Sequence, residues 1–137
     1  EDVLRATESV IACFEIVDSR IENWDIKITD TVADNASCGV FVLSEEEVSP
    51  KGLDLAALKV VVEKNGEFLS EGLGSAVQGA PENAVAWLAN TLGEYGIPLH
   101  GGEIVLSGSL VPLAPASTGD HFTMNIDGLG SAEVRFR

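Results

Sequence analysis

The dipeptide Asn65-Gly66 constrains the fold more than any other feature of the sequence, because it separates two apolar, strand-like segments. Both residues tolerate the positive φ that a two-residue hairpin turn requires, so we expect residues 58–64 and 67–70 to pair as antiparallel strands. A second hairpin is predicted around Asp127-Gly128, with strands over 121–126 and 132–136. The second half of the chain therefore predicts antiparallel β-structure.

One strong helix is predicted between these hairpins. Pro81 suits a first helical turn, apolar residues recur at helical spacing behind it, and Gly96 can end the helix. The helix is therefore predicted over residues 81–95. The predicted class is α+β, a mixed β-rich fold with two or three helices.

The first half of the chain has weaker signals. Apolar periodicity predicts a short amphipathic helix over 2–12 and a strand directly after it over 13–18. Residues 19–29 fit either a helix or a strand, and the polar stretch 30–39 predicts a loop. Short strands are expected at 40–43 and 103–106, with the acidic run 45–47 as a solvated face.

Composition limits the classes of partner. The 137 residues contain 22 acids against 8 bases, a net charge of −14, and the bases form no patch in the sequence. Nucleic-acid binding is therefore not expected, since phosphate contacts need clustered Lys and Arg. No apolar run is long enough to cross a membrane. Two cysteines make no disulfide framework, so we predict a reduced, cytoplasmic protein. The length of 137 residues suits one domain with its own core.

Three segments carry candidate functional side chains. Glu15 lies between apolar neighbours, so its carboxylate needs a proton, a base or a metal if the strand is central, or faces water if the strand is an edge. The segment 18–20 forms either a local Asp–Arg pair or a helix cap, or else Arg20 holds an anion or steadies the carboxylates. Residues 30–37 can hold a water or a small acid, although the same residue types favour turns and caps. The turn at 107–109 offers backbone amides to an oxyanion.

Six segments of the sequence closely resemble the 2-hydroxypenta-2,4-dienoate hydratase (2-keto-4-pentenoate hydratase) family of the fumarylacetoacetate hydrolase superfamily. These segments are 15–24, 30–39, 62–66, 86–90, 106–110 and 128–131. The resemblance runs essentially from end to end and preserves order and spacing. It implies a hydro-lyase of aromatic catabolism that adds water to 2-hydroxypenta-2,4-dienoate, giving 4-hydroxy-2-oxopentanoate. A homo-oligomer is also implied, and a complex with the related 4-oxalocrotonate decarboxylase is one expected partnership.

The resemblance also assigns roles to residues. Family enzymes hold Mg²⁺ or Mn²⁺ with three carboxylates, and the one that opens the segment 15–20 corresponds to Glu15. The implied catalytic residues are Asp34 and Ser37, and the residues implied to bind the 2-hydroxy or 2-oxo acid substrate are Asn35, Ser107, Gly108 and Ser109. The other two metal ligands come from an upstream Glu-x-Glu motif without a counterpart here, because Glu45-Glu46-Glu47 lies downstream of Glu15. We therefore expect residues 1–137 to be the C-terminal part of such an enzyme, inactive alone.

Two alternatives remain open. A 4-oxalocrotonate decarboxylase-type enzyme would use the same metal and a dicarboxylate homologue of the substrate. A folded or assembly fragment without the full metal site would turn nothing over, because a lone carboxylate cannot hold Mg²⁺ tightly.

Overall fold

The computed structural model describes residues 1–137, and its six strands form two antiparallel sheets. A two-stranded sheet pairs β1 (Val10–Val17) with β2 (Cys38–Val48). The four-stranded sheet contains β3 (Lys59–Lys64), β4 (Glu67–Leu73), β5 (His121–Ile126) and β6 (Gly130–Arg135), in the order β4-β3-β5-β6. Three helices complete the fold: α1 (Asp2–Ala6), α2 (Ile28–Ala33) and α3 (Pro81–Glu94). The predicted α+β, β-rich class with two or three helices is confirmed.

Both predicted hairpins are confirmed. β3 and β4 are joined by Asn65 and Gly66 at φ of 56° and 81°, the left-handed region that Asn and Gly tolerate. β5 and β6 follow the same rule, with Gly128 at φ of 74° in their turn. Strand β3 also pairs with β5, so the two hairpins join into one sheet.

The core lies on one face of this sheet and extends to β1. Val60 and Val62 alternate along β3, as a strand with one buried face requires. They form one cluster with side chains from β5, β6, the turn between them and β1, namely Ala12, Phe122, Met124, Ile126, Leu129 and Ala132. Phe122 and Phe136 meet edge to face, with ring centroids 5.7 Å apart.

The predictions for the first half need correction. α1 ends at Ala6 instead of residue 12, because Val10 and Ile11 pair with Val48 and Glu47 and extend β1. The predicted loop over 30–39 instead contains the end of α2, a 3₁₀ turn at Asn35–Ser37 and the start of β2. The short strand at 40–43 is an 11-residue strand that includes the exposed acidic run.

The strand predicted at 103–106 was wrong. Residues 97–120 contain no helix or strand, and no strand of either sheet pairs with 103–106. Leu110, further along the segment, lies against β4, since a Cβ on Gly72 would be 2.0 Å from its carbonyl oxygen. The segment thus packs on the sheet without joining its hydrogen-bond ladder.

A polar cluster fixes the corner where the β3–β4 turn meets the start of β5. Lys64 forms a 2.8 Å ion pair with Asp120, and the Asn65 side-chain amide donates to the same carboxylate at 3.0 Å. The Ser117 backbone N–H donates to Asp120 at 2.8 Å. These contacts, the Lys64 one above all, lower the pKa of Asp120 to about 2.

We expect this cluster to make stability depend on pH in the acid range. Because the pKa of Asp120 falls from 3.8 to about 2 on folding, its contribution is present above the unfolded value and is lost as pH falls toward 2. The variant Asp120→Asn should therefore show a flatter decline of the thermal midpoint between pH 4 and pH 2. Asp2→Asn, at an exposed ion pair, is the control. Equal slopes in all three proteins would contradict the prediction.

None of the helices combines the length and the apolar character that crossing a bilayer requires.

Candidate active site

A wide, open cleft of about 1790 Å³ runs beside β1. Its walls come from β1, from the irregular segment after α3 and from the apolar face of the four-stranded sheet. Most of the lining side chains are hydrophobic, and Glu15 is one of seven acidic residues among them. The cleft therefore contains the first of the predicted site residues, Glu15.

Glu15 projects from β1 opposite Phe41 of β2. Its side chain is exposed, and none of the hydrogen bonds or ion pairs within the chain engages its carboxylate. Cys13 lies two residues earlier, on the same face of the strand. Burial raises the pKa of the Cys13 thiol, and the Glu15 carboxylate raises it further, against a backbone hydrogen bond at Val42 that lowers it. Glu15 is thus an available carboxylate with an apolar surrounding.

The donor set around Glu15 decides whether this chain can hold a metal ion by itself. A carboxylate is the hard oxygen ligand that Mg²⁺ prefers, and Glu15 fits as one ligand. However, no group of three or more His, Cys, Asp or Glu side chains in the chain could hold a metal ion. The residues present therefore fit a fraction of a divalent-ion site and not a whole one.

The segment predicted as a turn at 107–109 is irregular backbone just before a bend at 110–111, and it lines the same cleft as Glu15. Gly108 has a φ of 125° and a Cβ there would lie 3.2 Å from a methyl carbon of Val77, so the glycine permits both this backbone conformation and the close approach. The Ser109 hydroxyl donates to the carbonyl of Val111 at 2.6 Å. The structure thus brings Ser107, Gly108 and Ser109 to the cleft that contains Glu15.

Asp34 lies elsewhere, in a buried cluster where the end of β1 meets the start of β2. Its side chain is 6% exposed and accepts a bond from the Arg20 Nε at 2.5 Å. The Arg20 backbone N–H and the hydroxyls of Ser19 and Ser37 donate to the other carboxylate oxygen at 3.2–3.3 Å. Both oxygens are therefore occupied by donors from the chain itself.

These contacts keep Asp34 ionised. Burial alone would raise the pKa of its carboxyl, but the hydrogen bonds and charge of Arg20, with the Ser37 hydroxyl, outweigh burial and lower it. Ser37 is buried beside Asp34. Asn35 is exposed at the surface of the same turn, with a φ of 48°.

The structure therefore separates the predicted site residues into two groups. Glu15 and the 107–109 turn share the cleft, whereas Asp34, Asn35 and Ser37 are not among the residues that line it. The roles assigned to all of them stay predictions.

The sequence left four roles open for the 18–20 segment: a local Asp–Arg pair, a helix cap, an anion holder at Arg20, or an Arg20 that steadies the carboxylates. The structure decides for a pair, but the carboxylate is Asp34, 14 residues away, and Asp18 offers its backbone carbonyl instead. Sequence reasoning also missed Gly39. Its neighbours Val40 and Cys38 pair with Ile16 and Val17, which leaves Gly39 unpaired in a β-bulge. The only sequence signal was a glycine at the start of an apolar run.

Comparison with known proteins identifies the class of protein that has this fold. The chain belongs to the fumarylacetoacetate hydrolase family, because the protein-family model described as "Fumarylacetoacetate (FAA) hydrolase C-terminal" matches residues 2–137. Among curated relatives it is 62% identical over 136 residues to a 2-hydroxyhexa-2,4-dienoate hydratase of Comamonas testosteroni, covering 99% of this chain and 52% of that protein. It is 47% identical over 136 residues to a 2-keto-4-pentenoate hydratase of Paraburkholderia xenovorans, covering 99% and 51%.

A solved structure agrees with the family assignment. The fold matches 4-oxalocrotonate decarboxylase from Pseudomonas putida G7, complexed with magnesium and adipate, with a TM-score of 0.92 and 41% identity. The match covers 99% of this chain and 52% of that one. A second structure of that decarboxylase, with calcium and acetate, gives a TM-score of 0.89. The chain thus spans about half the length of the relatives it matches.

Proposed function

We propose that this chain forms part of a hydro-lyase that adds water to 2-hydroxypenta-2,4-dienoate or a close homologue. The observation that carries the proposal is the cleft, which presents an unpaired carboxylate, Glu15, together with the small polar turn 107–109. The names of the relatives at 62% and 47% identity support a hydratase over other reactions of this fold. The expected product from the pentadienoate is 4-hydroxy-2-oxopentanoate, made in aromatic catabolism.

Residues 1–137 act, in this proposal, as the C-terminal part of a larger catalytic unit. The chain spans about half of each relative, and it supplies one carboxylate where a divalent ion needs several ligands. It also leaves large apolar side chains uncovered, such as Trp87 at 59% and Phe68 at 65% exposure. Apolar surface of this extent indicates that further protein packs on it, either the rest of the unit or another copy in a homo-oligomer.

The chain's own residues contribute binding and exclusion of water. Glu15 would be one ligand of Mg²⁺ or Mn²⁺, and the bound ion would polarise the 2-oxo group of the substrate. The backbone amides and hydroxyls of the 107–109 turn would receive the oxygens of the 2-hydroxy or 2-oxo acid. The apolar walls of the cleft would surround the hydrocarbon part and strengthen these polar contacts by excluding water. Asn35 is proposed to contact the substrate when the unit is complete.

A decarboxylase of the 4-oxalocrotonate type is the second candidate. Its support is the structural match to a decarboxylase at a TM-score of 0.92. The sequence identity to that protein is 41%, lower than the 62% and 47% identities to the two hydratases. Hydration is therefore the preferred reaction. We also propose that the hydratase forms a complex with the related 4-oxalocrotonate decarboxylase.

A direct comparison of substrates tests the assignment. We expect the complete catalytic unit, with Mg²⁺ or Mn²⁺, to consume 2-hydroxypenta-2,4-dienoate faster than 4-oxalocrotonate. Loss of dienol absorbance measures the first reaction, and release of CO₂ measures the second. The 137-residue chain alone should be inactive on both, because it lacks most of the metal ligands. Faster release of CO₂ would contradict the hydratase proposal, and no turnover by the complete unit would favour a non-catalytic role.

A cytoplasmic location belongs to the same proposal. It is supported by two free cysteines, Cys13 and Cys38, which suit a reducing compartment.

A further inference from the structure

We infer that Arg20 and Asp34 are positioning residues that fix the end of β1 and thereby aim Glu15 into the cleft. The inference rests on the proposed function for the importance of Glu15, but its physical basis is the hydrogen-bonded cluster at the β1–β2 junction. We call the cluster of Ser19, Arg20, Asp34 and Ser37 the junction cluster.

Arg20 joins three segments that are separate in the sequence. Its guanidinium donates to the carboxylate and the carbonyl of Asp34, each at 2.5 Å. One Nη atom also donates to the carbonyls of Asp18 and Cys38, at 2.8 and 2.6 Å. The guanidinium therefore connects the end of β1, the end of α2 and the first residue of β2. A lysine has one ammonium group and cannot reproduce this planar set of donors.

The backbone of the junction cluster has an unfavourable conformation at three consecutive residues. Asn35, Ala36 and Ser37 all have positive φ, at 48°, 56° and 56°, which costs energy for residues with a Cβ. The turn persists because its ends are tied: Ser37 N–H donates to the Asp34 carbonyl at 3.0 Å, and Asp18 N–H donates to the Ser37 carbonyl at 2.9 Å.

The bulge links this cluster to Glu15. Gly39 is the unpaired residue, and a Cβ on it would lie 2.4 Å from the Ile16 carbonyl oxygen, so only glycine fits against that carbonyl. A bulge increases the local twist and turns neighbouring side chains. Glu15 is next to Ile16, and Arg20 holds Cys38, which is next to Gly39. The junction cluster therefore sets the twist at the point where β1 presents Glu15.

This geometry gives Asp34 a specific role. Its carboxylate oxygens are both occupied and its side chain is 94% buried, so it orients Arg20 and the turn and transfers no proton to substrate. Ser37 acts in the same way, through its hydroxyl bond to Asp34.

The first test uses the 137-residue chain without metal or substrate. In Arg20→Lys and Asp34→Asn we expect amide hydrogen exchange at Asp18 and Ser37 to rise at least about tenfold, with a changed amide chemical shift at Glu15. Ser37→Ala removes only the hydroxyl that donates to Asp34, so it perturbs the junction cluster less. This variant replaces Arg20→Lys or Asp34→Asn if either fails to fold, and its exchange should rise by a smaller factor. Arg5→Lys, at an exposed helical ion pair with Asp2, is the matched control and should change none of these signals. Wild-type exchange and shifts in the Arg20 and Asp34 variants would overturn the inference.

The second test uses the complete catalytic unit. Asp34→Asn should raise the Mg²⁺ concentration that gives half-maximal hydration about tenfold, because the contacts that support the ligand Glu15 are weakened. The pH dependence of the hydration rate should stay the same. Simple loss of folded protein would lower the rate without moving either quantity. A displaced limb of the pH profile would make Asp34 a proton-transfer group and overturn the positioning role. Absence of hydration by the wild-type unit would instead refute the proposed function, while the exchange comparison still decides the role of the junction cluster.

Discussion

Glu15→Gln is expected to lower metal-dependent hydration by the complete catalytic unit at least about 100-fold, since the loss of an anionic ligand removes several kcal/mol of charge stabilisation. The amide keeps the size and shape of the side chain but carries no charge. Glu15 is exposed and makes no bond within the chain, so its replacement removes nothing that stabilises the fold. Turnover against Mg²⁺ concentration measures the effect on activity.

The matched control is Glu45→Gln on β2. Glu45 is also an exposed glutamate on a strand of the same sheet, but it does not line the cleft with Glu15. The complete catalytic unit with Glu45→Gln should hydrate the substrate at the wild-type rate. Circular dichroism and thermal unfolding of the 137-residue chain should be the same for both variants. Wild-type turnover in Glu15→Gln would remove Glu15 from the site.

Gly74→Ala should destabilise the chain by about 3 kcal/mol, the upper range for forcing extra atoms into a filled space. Gly74 follows β4 directly and is buried. A Cβ built on it would lie 1.8 Å from the carbonyl oxygen of Leu55, and that neighbour is backbone, which cannot rotate away. The turn after β4 would have to move, together with the Gly74 N–H bond to the Leu58 carbonyl. Urea unfolding of the two proteins measures the difference.

Gly93→Ala provides the comparison within the same chain. Gly93 lies inside α3, and nothing comes within 4 Å of a Cβ built there. Alanine should therefore stabilise the helix by roughly 0.5–1 kcal/mol, since it removes backbone freedom from the unfolded chain without a clash. Equal unfolding free energies for Gly74→Ala and the wild type would show that the turn relaxes at little cost.

Local rules correctly predicted the elements whose signals lie within a few residues. Asn65-Gly66 requires a tight turn, so both the position and the pairing of β3 and β4 followed from the sequence. Helix α3 begins at Pro81 as predicted and ends one residue before the predicted end, because a first-turn proline and helical periodicity are local features.

The errors occurred where tertiary pairing overrides local preference. Val10 and Ile11 carry a helix-compatible pattern, yet they extend β1 because Val48 and Glu47 lie opposite them. Residues 103–106 have a strand-like composition, but no strand of either sheet pairs with them, and composition alone cannot supply a pairing partner.

For the candidate site, the sequence by itself determined the residue types and the family. The family match over residues 2–137 confirms the family. The sequence also pointed to Glu15 and to the 107–109 segment, whose roles stay predictions. Only the tertiary structure decided that these two share a cleft while Asp34 is enclosed by Arg20 at the β1–β2 junction. The physical reason is separation along the chain: turn preferences and periodicity act over a few residues. The Arg20–Asp34 pair spans 14 residues and forms only when packing brings the ends of β1 and α2 together.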